Sequence, residues 1–489
     1  MALSSKDMIK ALAKMKEEES ENTLAKAGKQ THIADIVYHG DKLILPQGMA
    51  IPAAVELLID RQEYLEKAVV LRREYDAFPY DGANALNSVL ASKYGWAQSI
   101  ATPGFFGSSP PAMLVVAVGP NKTIQVPWGR FSIPGVDGHI ETGFQKTRNR
   151  LKFVINSNVK RKDEATVRWI MDAVAEFLKD NSIYRGQALK IRFRDDDGDQ
   201  IAMPEPEFID TSKIDRSSLI FSSDVADAIE TNLFTPIERV SDFIENGLPI
   251  KRAVLLEGTY GTGKTLAATV ASRIAVDNDV TYVYCARADE LADALEFARQ
   301  YQNPACVVFC EDVDREMDGE RDAEMDTLLN LIDGVDTKRS NIIIVLTSNA
   351  VQNINVAMLR PGRLDAVITV TPPDGPAVEK LIRNIGGDAI DPTADLRLAG
   401  EALAGQIPAV ISEVVKRAKI VQIRRQEPGT KVKMISGPAL IEAAKTMAAQ
   451  LRLLQEKIDA SNVKELPMLD AVFKELIKEG MEAYQNADD

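Results

Sequence analysis

A glycine-rich loop between a short apolar strand and an alanine-rich helix constrains this chain more than any other feature. Glycines allow backbone N–H groups to close around an anion, because a Cβ would block both the turn and the approach. The N-terminus of the following helix carries a partial positive charge directed at the same place. The loop therefore predicts a site for nucleotide phosphates. It fits the pattern G-x-x-x-x-G-K-[ST] and consists of Gly258, Thr259, Tyr260, Gly261, Thr262, Gly263, Lys264 and Thr265, and Leu266 completes the predicted contact set.

Two residues at the end of this loop have separate predicted roles. Lys264 supplies a positive charge to the β- and γ-phosphates, and the Thr265 hydroxyl is the expected Mg²⁺ ligand. The spacing of Leu266, Val270 and Ile274 predicts that the helix packs against a sheet.

Composition indicates an ordinary globular protein of two to four domains. The chain has 489 residues, of which 45% are hydrophobic, and a formal net charge of −14. This charge argues against a protein whose main role is to coat nucleic acid. The longest apolar runs, 112–118 and 342–346, are far shorter than the roughly 20 residues that span a bilayer. With no apolar core of a signal peptide near the N-terminus, we expect a cytoplasmic protein that does not contact a membrane.

Cysteine and histidine usage predicts no metal site. The cysteines lack C-x-x-C spacing and fall in predicted strands, which favours buried free thiols. The histidines are scattered along the chain. The cysteines are Cys285, Cys306 and Cys310, and the histidines are His32, His39 and His139.

The first part of the chain predicts a mobile segment, residues 1–30, followed by an α+β domain, residues 31–210. Apolar periodicity predicts the first helix from Ile51 to Val69. Further helices are predicted at 81–94 and 163–178, and strands at 113–118, 123–126, 151–155 and 189–193. A polar linker, residues 194–216, ends this part.

The acidic run from Asp195 to Asp199 lies in that linker. Calcium binding is one interpretation, but the ligand spacing and closing glutamate of a calcium loop are missing. We therefore expect a solvated hairpin turn.

From Ala253 to Val370, predicted strands and helices alternate, which indicates a parallel sheet with helices on both faces. The residues after Pro373 are predicted to be helical. These patterns predict three regions: a large α/β subdomain (217–375), a helical lid (376–430) and a C-terminal helical extension (431–489).

Three further groups of polar residues follow strands of this predicted sheet. The strand Cys306–Cys310 is followed by Glu311 and Asp312, where one acid can hold Mg²⁺ and the other can orient or deprotonate a water. Asn349 follows the next predicted strand and can reach the γ-phosphate or that water. Arg360 and Arg363 lie on a Pro-Gly turn and offer planar cations to developing phosphoryl charge.

With these motifs, residues 217 to about 425 resemble an AAA+ ATPase module of the AAA clade. The loop corresponds to Walker A, Glu311-Asp312 to Walker B and Asn349 to sensor one. The resemblance implies an ATPase that uses ATP and Mg²⁺ and forms a ring, usually a hexamer. It also implies that Arg360 and Arg363 act as arginine fingers on the ATP of the neighbouring subunit.

The sequence departs from most relatives of the AAA clade in two ways, and in both it resembles the mitochondrial Rieske-protein translocase family. Walker B reads Glu-Asp instead of Asp-Glu, so the base is one methylene shorter. No aromatic-hydrophobic-glycine pore loop lies between Tyr284 and the helix predicted at 289–301. That family has an N-terminal membrane helix, and no apolar stretch of that length occurs in this sequence. We therefore apply the resemblance to the ATPase module only.

The leading hypothesis is an ATP-hydrolysing ring that remodels, disassembles or moves a protein partner chosen by residues 1–210. A slow, nucleotide-gated scaffold is one alternative, suggested by the Walker B order and the missing pore loop. A nucleic-acid motor is another, because seven basic residues occur between 146 and 162 without an acid, and alternation along 146–152 would put four on one strand face. A solvated face is the simpler interpretation of these residues: Lys146, Arg148, Arg150, Lys152, Lys160, Arg161 and Lys162.

Overall fold

The computed structural model describes residues 37–313, 340–349 and 364–447, apart from short gaps at 40–41, 46–47, 96–97, 105–106, 111, 148–149, 426, 430–431 and 433–434. This part of the chain forms two compact units. One consists mainly of residues up to Ser182, and the other begins mainly at Ile183. The predicted mobile segment 1–30 lies outside the described residues.

The first unit is an α+β domain, as predicted. Its main sheet has five strands in the order β3-β11-β10-β9-β4, and β3 pairs antiparallel with β11. Its helices are α1 (Ile51–Glu66), α2 (Pro79–Tyr94) and α3 (Glu164–Asp180). Its strands are β1 (Val37–His39), β2 (Lys42–Ile44), β3 (Ala68–Tyr75), β4 (Gln98–Ile100), β5 (Thr102–Gly104), β6 (Gly107–Ser109), β7 (Ala112–Gly119), β8 (Lys122–Trp128), β9 (Arg130–Ser132), β10 (Gly138–Thr147) and β11 (Arg150–Lys160).

Two strands of this unit differ from the sequence prediction. The first helix was expected to continue to Val69, but it ends at Glu66 and Val69 lies in β3. The run Ala68–Leu71 contains adjacent β-branched residues, which fit a pleated surface better than a helix. The prediction that residues 146–152 form a single strand is also wrong, because Lys146 lies in β10 and Lys152 lies in β11.

The second unit contains a seven-stranded sheet in the order β13-β12-β15-β16-β17-β14-β18. All neighbours pair in parallel except β12 and β13, which are antiparallel. The parallel strands end at one edge of the sheet. The strands are β12 (Ala188–Lys190), β13 (Glu207–Phe208), β14 (Arg252–Glu257), β15 (Thr281–Cys285), β16 (Cys306–Cys310), β17 (Ile342–Ser348) and β18 (Ala366–Thr369).

The α/β class is confirmed, but one strand belongs to a different domain from that predicted. The strand expected at 189–193 was assigned to the N-terminal domain, whereas β12 pairs in parallel with β15 of the second unit. Helices of this unit before the lid are α4 (Ser223–Ile229), α5 (Thr235–Glu238), α6 (Val240–Glu245), α7 (Lys264–Asp277) and α8 (Leu291–Gln300). We therefore move the start of the α/β unit from residue 217 to about residue 183.

The acidic run forms the predicted hairpin turn. Arg194 and Gln200 form an antiparallel bridge, and the Asp195 N–H donates to the Asp199 carbonyl at 2.9 Å. The Asp195 carboxylate accepts the N–H groups of Asp197 (3.1 Å) and Asp199 (2.8 Å). This carboxylate is therefore used to close the turn.

The helical lid follows β18 and has its own apolar core. Its helices are α9 (Gly375–Gly386), α10 (Arg397–Leu403) and α11 (Pro408–Arg425). Helical residues 437–447 pack in the same core through Leu440 and Met447. The predicted boundary at residue 430 is therefore too early. The rest of the predicted C-terminal extension lies outside the described residues.

Candidate nucleotide site at the sheet edge

The predicted phosphate loop connects β14 to α7. Its three glycines, Gly258, Gly261 and Gly263, have φ angles of +148°, +78° and +104°. Side chains other than glycine rarely adopt such angles. At Gly258, an added Cβ would also lie 2.4 Å from the Val370 carbonyl oxygen. The pattern of glycines is therefore required by the backbone of the loop.

Helix α7 begins at Lys264 and packs on the sheet as predicted, with one exception. Val270 and Ile274 are buried in the core of the unit together with Ala267 and Ala271. Leu266 is 41% exposed, so its expected packing against the sheet is wrong. Alanines fill that face because they allow the helix to approach the strands closely.

The Lys264 ammonium group lies inside the loop. Its Nζ donates to the carbonyl oxygens of Gly258 (2.8 Å) and Thr259 (3.0 Å) and to Oδ1 of Asn349 (2.7 Å). The residue is buried. The lysine thus connects the loop to the end of β17.

Two other loop residues differ in their exposure to solvent. Thr262 is buried, and its hydroxyl donates to the Thr259 carbonyl at 3.0 Å. Tyr260 is 61% exposed.

The Glu311 carboxylate lies directly after β16 and accepts a hydroxyl on each oxygen. Thr265 Oγ1 donates to Oε1 at 2.6 Å, and Tyr284 Oη donates to Oε2 at 2.8 Å. Thr265 and Glu311, the two predicted Mg²⁺ ligands, are therefore in contact. Hard oxygen donors of this kind suit Mg²⁺.

Tyr284 was not predicted as a site residue. It lies on β15, whose C-terminal end is at the site edge. Burial raises its pKa, and the hydrogen bond to Glu311 adds to this shift, so the hydroxyl keeps its proton at neutral pH. The available signal was its position one residue before the end of a strand neighbouring β16.

Asp312 and Asn349 are paired. Nδ2 of Asn349 donates to Oδ1 of Asp312 at 2.7 Å. Asp312 has a φ angle of +44°, and its N–H donates to Thr347 Oγ1 at 2.9 Å. The turn after β16 thus holds the Asp312 side chain toward the end of β17.

The structure therefore brings five of the predicted site side chains to one edge of the sheet in two hydrogen-bonded sets, Lys264–Asn349–Asp312 and Thr265–Glu311. Arg360 and Arg363 lie outside the described residues. The three cysteines are buried free thiols, as predicted.

Comparison with known proteins also indicates a nucleotide site in this part of the chain. Residues 254–372 match the family model described as ATPase family associated with various cellular activities (AAA). The match spans β14, the phosphate loop, β16, β17 and β18. The chain therefore contains an AAA ATPase domain.

Relatives include three bacterial proteins named ATP-dependent zinc metalloprotease FtsH. FtsH 1 of Petrotoga mobilis is 27% identical, covering 42% of this chain and 34% of the relative. The Rhodococcus erythropolis protein is 30% identical, covering 42% and 27% respectively. The Mycobacterium bovis protein is 28% identical, covering 49% and 32%. The chain thus spans about a third or less of the length of these curated relatives.

The histidines of this sequence do not form the zinc-binding pattern of such proteases. None of its three histidines, His32, His39 and His139, begins the H-E-x-x-H pattern of such enzymes. Among the helices that the structure describes, none is long and apolar enough to span a bilayer.

Proposed function

Because residues 254–372 match an AAA ATPase domain, we propose that the chain is a Mg²⁺-dependent ATPase that forms a ring and remodels, disassembles or moves a protein partner. The observation that carries this proposal is the presence of two hydrogen-bonded sets, Lys264–Asn349–Asp312 and Thr265–Glu311, beside a glycine loop.

In this proposal, the loop N–H groups and Lys264 bind the phosphates. ATP binding requires the lysine to exchange the Gly258 and Thr259 carbonyls for phosphate oxygens. Tyr260 and Leu266 are exposed at this loop, so both can contact the nucleotide. Thr265 and Glu311 would hold Mg²⁺, which, when bound, neutralises charge on the phosphates.

Asp312 is the proposed general base. Asn349 bonds both Asp312 and Lys264, so it links the group that accepts the proton to the group that binds phosphate. The carboxylate takes a proton from the attacking water, and Asn349 orients that water. Because Asp312 is one methylene shorter than glutamate, we expect slow hydrolysis unless a partner stimulates it.

Ring assembly completes the proposed site. Arg360 and Arg363 of one subunit would contact the ATP of the next and stabilise charge in the transition state. We propose a hexamer and assign partner choice to the first unit. A protein partner is favoured because the relatives are named as proteases, enzymes whose substrates are proteins.

The ion pairs of the basic stretch argue against nucleic acid as the partner. The Lys160 ammonium contacts the Glu66 carboxylate at 2.5 Å, and Lys162 contacts Asp137 at 2.5 Å. Arg161 stacks on Tyr64, with Cζ 4.3 Å from the ring centroid. Three of the seven basic side chains thus already have partners within the first unit.

A steady-state ATPase assay tests the proposal. Purified chain is measured with Mg²⁺ alone, and then with added DNA, RNA or lysate proteins. We expect basal hydrolysis that only the protein fraction stimulates. Stimulation by DNA or RNA alone would favour the nucleic-acid motor, and ATP binding without hydrolysis in every mixture would favour the scaffold.

A further inference from the structure

The ends of β14 and β18 are joined at the residue before the phosphate loop. Glu257 and Thr369 are partners across this parallel strand pair. The Thr369 hydroxyl donates to the Glu257 carboxylate. The backbone adds a second bond, because the Val370 N–H donates to the Glu257 carbonyl at 2.7 Å. The start of the phosphate loop is therefore fixed to the end of β18 by both side chain and backbone.

Glu257 is a costly residue for this position. It is 6% exposed, and its Oε2 has no hydrogen-bond partner among the described residues. Burying a carboxylate with an unused acceptor costs free energy, and an apolar side chain would fill the strand end at lower cost. Such local departures from stability concentrate at functional positions.

Gly258 extends this connection to the phosphate-binding lysine. Its carbonyl accepts a hydrogen bond from Lys264 Nζ at 2.8 Å. On its other side, an added Cβ at Gly258 would lie 2.4 Å from the Val370 carbonyl oxygen. Gly258 therefore bonds Lys264 through its carbonyl and lies close against the Val370 carbonyl, directly after β18, on its other side.

Val370 begins the connection to the lid. Four residues later, the Asp374 side chain caps α9 by accepting the Ala377 N–H at 3.0 Å. Within the connection, the Pro373 carbonyl accepts the Gly405 N–H at 2.9 Å. Both the start of α9 and the loop before α11 are thus tied to this segment.

We propose that the Glu257–Thr369 pair transmits occupancy of the phosphate loop to the lid, an inference that rests on the proposed function. When Lys264 exchanges the Gly258 carbonyl for a phosphate, Gly258 is free to shift. The hydrogen bond from Thr369 makes β18 and the lid connection follow. Glu257 and Thr369 are positioning residues, because they act through Gly258 and Val370.

A distance measurement on the full chain tests this coupling. Cysteines are introduced at Ile244 and Ile420, which are 56% and 63% exposed, and spin-labelled; the native cysteines are buried. The label distance is measured with and without a non-hydrolysable ATP analogue. We expect it to change in the labelled parent and in Thr369→Ser, and to stay constant in Thr369→Val. In unlabelled Thr369→Val, kcat should fall about tenfold while KM changes less than about threefold, because the hydrogen bond from Thr369 to Glu257 is lost from the coupling.

Thr371→Val is the matched control, because Thr371 is exposed on the same segment. It should behave as the parent. An unchanged response in Thr369→Val, or an equal loss in Thr371→Val, would overturn the coupling. So would a parent that binds the analogue without a distance change. A parent that fails to bind the analogue would instead contradict the proposed function.

Melting curves verify that each variant is folded. If Thr369→Val does not fold, Thr369→Ala takes its place, because it also lacks the hydroxyl that donates to Glu257. A lost distance change in this variant supports the coupling, and a retained one contradicts it.

Discussion

Among single residues, Tyr284 shows how the site depends on a side chain that the sequence motifs do not include. Its hydroxyl occupies one oxygen of Glu311 while Thr265 occupies the other. The carboxylate is therefore held in one orientation by two donors. Positioning by such second contacts affects catalysis more than binding.

We predict that Tyr284→Phe lowers kcat about tenfold, the typical effect of losing one hydrogen bond to a charged group, with ATP affinity nearly unchanged. Steady-state ATPase kinetics measure this. Tyr282→Phe is the matched control, because its hydroxyl donates to the Ala268 carbonyl at 3.0 Å, away from the carboxylates. It should lose stability but keep kcat. Equal kcat in Tyr284→Phe and the parent would remove Tyr284 from the site.

Among the elements, the segment that follows β12 is bound by one buried carboxylate. Glu290 precedes α8, and its Oε1 accepts the N–H groups of Phe193 (3.0 Å) and Arg194 (2.7 Å). These residues lead from β12 into the acidic hairpin. Glu290 therefore attaches the hairpin to the end of the sheet.

We predict that Glu290→Ala lowers the melting temperature by several degrees and increases proteolytic cleavage within 195–199, because two N–H groups lose their acceptor. Glu290→Gln should restore protection from cleavage, since its amide oxygen can accept both bonds. Equal cleavage of Glu290→Ala and the parent would contradict this role.

The pH dependence gives a second check on Glu290. Burial raises its pKa above the usual value of 4.5. The folded state therefore binds more protons than the unfolded state, and the stability contributed by Glu290 is lost as pH rises through the raised pKa. As the pH rises above 4.5, the melting temperature of Glu290→Gln should therefore increase relative to that of the parent.

The sequence predicted the elements that have strong local signals. It did not predict which sheet a strand joins, because that depends on its pairing partner. The helices α2 and α3 and the turn at Asp195 follow from periodicity and turn chemistry. Strand β12 has only three residues, and its membership in the second sheet depends on β15, which is about 90 residues away. Likewise, Lys264, Glu311 and Asn349 were predictable from motifs, whereas Tyr284 and Glu257 required the register of the sheet.

For the whole molecule, we expect hydrolysis to need a second subunit. The described residues supply the phosphate loop, the acids and Asn349, while the proposed arginine fingers, Arg360 and Arg363, would come from the neighbouring copy. If so, activity belongs to the interface between subunits.

We predict that Arg363→Ala keeps ATP binding but loses hydrolysis about 10³-fold. Mixing it with Lys264→Ala should restore part of the activity, because some interfaces then pair an intact Lys264 with an intact Arg363. Rings shown to contain both variants but without recovery at any mixing ratio would indicate that the arginine acts within its own subunit.

The central claim is that ATP binds at the phosphate loop through Lys264. Isothermal titration of Mg-ATP into the parent, Lys264→Ala and the exposed-site control Lys416→Ala tests it most directly. We predict one site per chain in the parent and the control, and no measurable binding in Lys264→Ala, because that variant removes the charge that faces the phosphates. Parent-like affinity in Lys264→Ala would contradict the account.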